Sequence, residues 1–179
     1  MRRDFNYLHT LVSAFFSKRH IQKGLNIIRT SEISGWEGWL QVEFAYFLSE
    51  HDSGPEWWRE WPVEYDYRKE KDRWFLRPDF IIRKKGWKTE SYVALELKQH
   101  PEAGSCLNNM MADVAKVSKA RKSELDIRSF WVLGVTEKEP KNEIRHKMFT
   151  RAQEKEVELI DDCVAIRFIP NTEYAYMLF

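Results

Sequence analysis

Cysteine is scarce in this chain, and the scarcity excludes several chemistries. Only Cys106 and Cys163 occur among 179 residues, far apart and without a Cys-x-x-Cys partner. Two isolated thiols are too few for a structural zinc, an iron–sulfur cluster or a disulfide framework. The histidines (His9, His20, His51, His100 and His146) show neither His-x-His nor His-x-x-x-His spacing, so a zinc pattern is missing there too. Long apolar runs are lacking as well: none approaches the roughly 18 residues that span a bilayer. The opening Met1-Arg2-Arg3-Asp4-Phe5 is basic but has no apolar signal core. The expectation is a cytoplasmic protein with no membrane partner. An excess of one charge is also absent. Lys and Arg number 29 against 28 Asp and Glu, a net charge of +1. Any contact with nucleic acid must therefore come from local basic patches rather than from the field of the whole protein.

What is present is an ordinary globular composition, 43% apolar and 32% charged. The length fits one domain and suffices for a core without staples. Phe5, Leu8, Val12, Phe15 and Phe16 recur at helical spacing, which predicts helix over most of residues 1–30, ended or bent at Gly24. Ser34-Gly35 precedes a second helix, Trp36 to Ser49. Strands are expected at Trp61 to Tyr67, Trp74 to Ile82 and Ser91 to Lys98, the first two joined by a charged turn from Arg68 to Arg73. A helix from about Leu107 to Leu125, a strand from Phe130 to Val135 and a helix from Asn142 to Glu156 follow. A hairpin across Pro170-Asn171-Thr172 closes the chain. Three consecutive strands point to a meander. The helix after the third points to a crossover and a parallel pair, hence an α/β fold with a mixed sheet and helices on its faces.

Two of these strands carry acidic groups that a plain core strand avoids. In the third, Val93, Leu95 and Leu97 point one way and Ala94, Glu96 and Lys98 the other. Glu96 and Lys98 are thus neighbours, with room left by Ala94. Asp79 precedes the apolar run Phe80-Ile81-Ile82, and Pro78 cannot donate to a sheet ladder, so the strand is expected to break or reach an edge there. A carboxylate at such a break can splay toward its neighbour. Paired carboxylates repel each other and bind a hard cation well, and magnesium needs only one or two of them. A third acidic group lies on the early helix. Glu43 has Trp39, Leu40, Tyr46 and Phe47 as same-face neighbours and so needs a partner. Glu37 competes for the role, although Ser34 and Gln41 place it on a more polar side.

Glu43 on an early helix, Pro78-Asp79, and Glu96-Leu97-Lys98 before a helix and a strand together resemble the PD-(D/E)xK, or restriction-endonuclease-like, nuclease superfamily. The resemblance covers about residues 36–136 and its order of helix, three strands, helix, strand. It implies a three-layer α/β/α core, here with an N-terminal helical extension (1–30) and a C-terminal helix and hairpin (137–179). It also implies metal-dependent hydrolysis of phosphodiesters, with DNA as partner. Asp79, Glu96 and the Leu97 carbonyl would bind Mg²⁺ or Mn²⁺. Glu43 would be a further ligand, direct or through water. Lys98 would position or activate the attacking water and offset developing charge. The helix after the motif lacks the Gln-and-Tyr signature of the RecB-like and Cas4-like branch, so no subfamily follows.

Weaker signals surround this set. Lys116, Lys119, Arg121 and Lys122 on the following helix are candidate nucleic-acid contacts, or a solvated basic face. Asn109, Asp113 and Lys116 share a flank that can approach the site. Trp57, Trp58, Trp61, Trp74 and Trp87 can stack on bases or pack in a core or dimer. Cutting both strands of a duplex asks for two sites, which a homodimer supplies. Two alternatives stay open beside a general DNA endonuclease: a structure-selective junction or flap nuclease, and a catalytically silent nucleic-acid- or protein-binding domain.

Overall fold

The structure, a computed structural model, describes residues 1–64, 75–88, 91–117 and 126–179. The apolar stripe at the start folds as two helices, α1 (Arg2–Phe16) and α2 (Arg19–Thr30). The chain turns between them at Ser17 and Lys18, not at Gly24. Gly24 lies inside α2 because Trp39 of the next helix packs against it, in the space a Cβ would take. That helix, α3 (Glu37–Glu50), starts after Gly35, whose φ of +69° suits a residue without Cβ.

The strands differ from the expected set. The first, β1, is Glu56–Arg59. Of the strand expected at Trp61 to Tyr67, only Val63–Glu64 (β2) is a strand among the described residues. It pairs with β3 (Phe75–Leu76) in a small sheet of its own. Pro62, which has no N–H to offer a ladder, separates β1 from β2. The charged turn from Arg68 to Arg73 and Trp74 lie outside the described residues. The strand expected from Trp74 to Ile82 is interrupted at Arg77-Pro78-Asp79 and resumes as β4 (Phe80–Arg83). Then come β5 (Ser91–Gln99), α4 (Ala103–Val117), β6 (Asp126–Glu137), α5 (Lys141–Glu154), β7 (Ala165–Phe168) and β8 (Tyr174–Leu178). These strands form a six-stranded sheet in the order β1-β4-β5-β6-β8-β7. β5 and β6 run parallel, joined by the α4 crossover, and the other neighbours are antiparallel.

Period-two alternation sorts the core into two faces. Val93, Leu95 and Leu97 of β5 and Trp131, Leu133 and Val135 of β6 pack with α1, α2 and α3. Val132 of β6 packs with α4 and α5 on the opposite face, beside Ala94 and Ile81. Leu8, Val12, Phe15 and Phe16 of α1 are fully buried in the first of these cores. At about 1.5–3 kcal/mol for each large apolar side chain, α1 and α2 are part of the main core rather than an appendage. The terminal hairpin likewise belongs to the sheet, since β8 pairs with β6. Among the described residues, no helix is long and apolar enough to cross a membrane. The result is a mixed α/β fold in which the break before β4, the last half of β5, the first turn of α3 and the middle of α4 meet.

Candidate active site

Asp79 stands where the chain enters β4. The Glu60 N–H donates to the carbonyls of Pro78 and Asp79 (3.1 and 3.4 Å), which ties this break to the end of β1. With no regular ladder of its own here, Asp79 turns toward β5. Its Oδ2 accepts the Leu97 N–H at 2.7 Å, and its own N–H donates to Glu96 Oε2 at 3.2 Å. Its Oδ1 accepts from Gln41 Nε2 of α3 at 2.7 Å, and the Gln41 carbonyl in turn accepts from Arg59 Nη2 at 2.8 Å. The two carboxylates are thus held through each other's strands.

Lys98 shares the side of β5 on which Glu96 lies. Its Nζ is 3.1 Å from Glu96 Oε1 and donates to the Leu97 carbonyl at 2.9 Å. It also reaches Asp113 Oδ2 of α4 at 3.1 Å and Glu37 Oε1 of α3 at 3.8 Å. Only 16% of the Lys98 side chain is exposed. One ammonium is therefore caged by carboxylates from three elements, with Asp79 as a fourth carboxylate nearby.

Desolvation dominates the electrostatics of this cage. Burial is the first reason that the Asp79 carboxyl is pushed up to about 6; the Leu97 N–H and Lys98 oppose the shift. Glu96 is pushed up to about 7, by burial first and then by the charge of Asp79. Glu37 moves up for the same leading reason. Burial alone would lower the pKa of Lys98, but Glu96, Asp113 and Glu37 outweigh it and hold the ammonium protonated well above neutral pH. The site has more buried negative charge than one lysine can satisfy.

The residues expected at this site fare differently. Asp79, Glu96, Leu97 and Lys98 are brought together. Glu43 is not. Its carboxylate pairs with His20 of α2 at 3.5 Å, on a partly exposed side of α3. The helix buries Leu40, Phe44, Phe47 and Leu48, whereas Tyr46, taken as part of the apolar stripe, is 59% exposed. The stripe runs one step away from Glu43, and Glu37, one turn before Gln41, supplies the helix carboxylate. Asp113 does approach from α4, one of the two readings its flank position allowed. Lys119, Arg121 and Lys122 lie outside the described residues, as does the Lys116 side chain. His100 accepts the Glu102 N–H at 3.1 Å and caps a turn. Cys106 is buried, its thiol pushed up to about 12 by burial, and is no nucleophile. Gln41 was missed by sequence reasoning; its only signal was the i, i+4 spacing from Glu37.

A metal fits this donor set in one way. Among the described residues, no three His, Cys, Asp or Glu side chains form a cluster able to hold an ion. The set that fits is two carboxylates, Asp79 and Glu96, with the Leu97 carbonyl, which accepts from Lys98, all hard oxygens of the kind magnesium takes alongside water and phosphate. A separate cleft of about 540 Å³ is lined by Gln99, His100 and Pro101 and walled by Trp36, Arg29 and Glu137; it holds residues next in sequence to Lys98 and Glu37 but none of the site's carboxylates. No protein-family model, no curated protein and no solved structure matches this chain.

Proposed function

We infer that the protein is a metal-dependent nuclease of the restriction-endonuclease-like type that hydrolyses phosphodiester bonds, DNA being the expected substrate. One observation carries the reading. The carboxylates of Asp79 and Glu96 lie half-buried side by side, with the Lys98 ammonium on the Leu97 carbonyl and on Glu96. A structural ion pair needs one carboxylate for one ammonium. This site gathers Glu37, Asp79, Glu96 and Asp113 around a single lysine. With the separate β2–β3 pair set aside, the order α3, β1, β4, β5, α4, β6 also fits the helix, three strands, helix, strand core that the sequence resembles.

Asp79, Glu96 and the Leu97 carbonyl would hold Mg²⁺ or Mn²⁺, with Glu37 rather than Glu43 as the helix carboxylate. The ion supplies Lewis-acid stabilisation of charge on the phosphate and eases deprotonation of water. Lys98 stays protonated, so its role is that of a fixed cation and donor. It orients the attacking water and stabilises the negative charge that grows on the phosphate oxygens. Gln41 holds the rotamer of Asp79, and Asp113 that of Lys98.

The test is a digest of supercoiled, linear, single-stranded and branched DNA and of RNA, with magnesium, manganese or chelator. Metal-dependent cleavage by the wild type that is lost in Asp79→Ala and Glu96→Ala is the expected result. An inert wild type on every substrate and metal overturns the reading.

A further inference from the structure

We propose that the exposed indoles of Trp58 and Trp61 form a stacking platform for unpaired nucleobases, so that the site takes nucleic acid as a single strand. This rests on the nuclease reading above and names its substrate form. Among the described tryptophans only these two are exposed, at 38% and 41%. Trp36, Trp87 and Trp131 are buried.

Their position links them to the site. Trp58 lies opposite Ile81, and Ile81 opposite Ala94. Side chains in one cross-strand row point to the same face. Ala94 precedes Glu96 by two residues and shares its face, so Trp58 shares it too, two strands or about 10 Å from Ala94. The next residues along, Glu60 and Asp79, are joined by the backbone hydrogen bond already described. A strand whose phosphate sits at Asp79 and Glu96 therefore has its neighbouring bases over β1.

The platform is preset. Trp58 packs edge-on against buried Tyr92 at 5.3 Å and against Trp61 at 6.0 Å. Cations accompany it. Arg59, whose side chain leaves β1 on the other face, is anchored through Gln41 to Asp79 and pairs with Glu60 at 3.7 Å, and exposed Arg77 lies next to Pro78. Exposed aromatic rings on one side of a phosphate site, with arginines at its edge, match a single strand, whose bases are free to stack and whose backbone is anionic. Paired bases are hidden inside the duplex stack and present no face to an indole. A second copy of this chain, pairing through β1, is the competing occupant. β1 has only four residues and carries Glu56 and Arg59 at its ends, features that blunt an edge.

Fluorescence anisotropy of short labelled oligonucleotides in EDTA tests binding apart from cleavage. The arms are single-stranded DNA, single-stranded RNA and the matching DNA duplex. The wild type should prefer the single strands, and the two single-stranded arms show which sugar it takes. Trp58→Ala and Trp61→Ala should each weaken single-strand binding about tenfold and leave duplex binding unchanged. Trp58→Phe should keep most of the affinity. An abasic site moved along the strand should weaken wild-type binding at one or two positions and have no effect at those positions in Trp58→Ala. The abasic scan on wild type decides the matter if a variant fails to fold: no sensitive position overturns the proposal. Unchanged single-strand affinity in both Ala variants also overturns it. So does a shift from dimer to monomer in sedimentation with nucleic-acid affinity intact. Metal-dependent cleavage is scored separately. An active wild type whose Ala variants bind normally sinks the platform alone, whereas the expected binding pattern without cleavage sinks the nuclease reading alone.

Discussion

Glu37 and Glu43 lie on one helix and end in different company, and that difference can be measured. Glu37 faces Lys98 at 3.8 Å, while Glu43 faces His20 at 3.5 Å. Glu37→Gln should lower the cleavage rate by about 10–100-fold, the usual effect of disturbing groups just outside a metal's ligands. Glu43→Gln should leave the rate unchanged. Single-turnover assays on the two variants check this, and equal losses would restore Glu43 to the site. Lys98→Ala should keep metal binding but lose about 10²–10³-fold in rate, the scale of one preorganised electrostatic group. Calorimetric titration of magnesium beside a rate measurement separates the two effects. Loss of metal binding in this variant would mean that Lys98 organises the ligands rather than the reaction.

Helix α4 reaches the site because β6 lets it come close. Gly134 carries no side chain, and a Cβ there would collide with Met110 and Cys106 of α4. Both helix residues are fully buried, so the collision has no easy relief. Gly134→Ala should destabilise the fold by about 1–3 kcal/mol, the usual cost of overpacking a core. For a chain of this size that is a fall in Tm of about 2–4 °C per kcal/mol, read by calorimetry. Asp113 lies one turn beyond Met110 on the same helix and holds Lys98 at 3.1 Å. Pushing α4 outward should therefore also reduce activity beyond what the lower Tm explains, measured well below Tm. An Ala variant of full stability would show that α4 does not bear on Gly134.

The molecule as a whole should respond to pH and magnesium through the same carboxylates. Asp79 at about 6 and Glu96 at about 7 lie above their ordinary values of 3.8 and 4.5. A carboxyl that holds its proton more tightly in the folded state stabilises that state at low pH. This contribution is present below about pH 4 and is lost as pH rises through about 6 to 7. Lys98, shifted upward, contributes equally across that window. His9, shifted downward by burial and by Arg167, works in the opposite direction. The clean observable is therefore a difference. Without metal, the Tm of wild type should fall relative to Glu96→Gln between pH 4 and pH 7.5, since the variant lacks the repelling charge. Parallel melting curves across that range would show that the crowding is not felt. Excess magnesium should stabilise the wild type by about 2.7 kcal/mol at a hundred times Kd, more at pH 7.5 than at pH 5.5, because protons and metal compete for the same oxygens. Asp79→Ala should gain much less.

Short-range pattern was enough for much of this. Alternation put Glu96 and Lys98 on one side of β5, and Pro78 marked the break that frees Asp79, because a residue without an N–H cannot extend a ladder. The α4 crossover and the parallel β5–β6 pair followed from a helix between strands. Period alone misjudged the helix carboxylate. It took Trp39, Leu40, Tyr46 and Phe47 for the buried stripe, whereas packing buries Leu40, Phe44, Phe47 and Leu48. Glu37 was placed on the more polar side of the helix, and that side faces the carboxylates and Lys98 through Glu37 and Gln41. β1 was misplaced because propensity favoured the stretch after Pro62, while the edge of β4 had room for Glu56–Arg59. The residue types and their alternation on a strand are local properties, legible in the chain before it folds. Which carboxylates share one ammonium is set by the distances between α3, β4, β5 and α4, and those come with folding, because elements far apart in the chain choose their neighbours by the apolar faces they bury together.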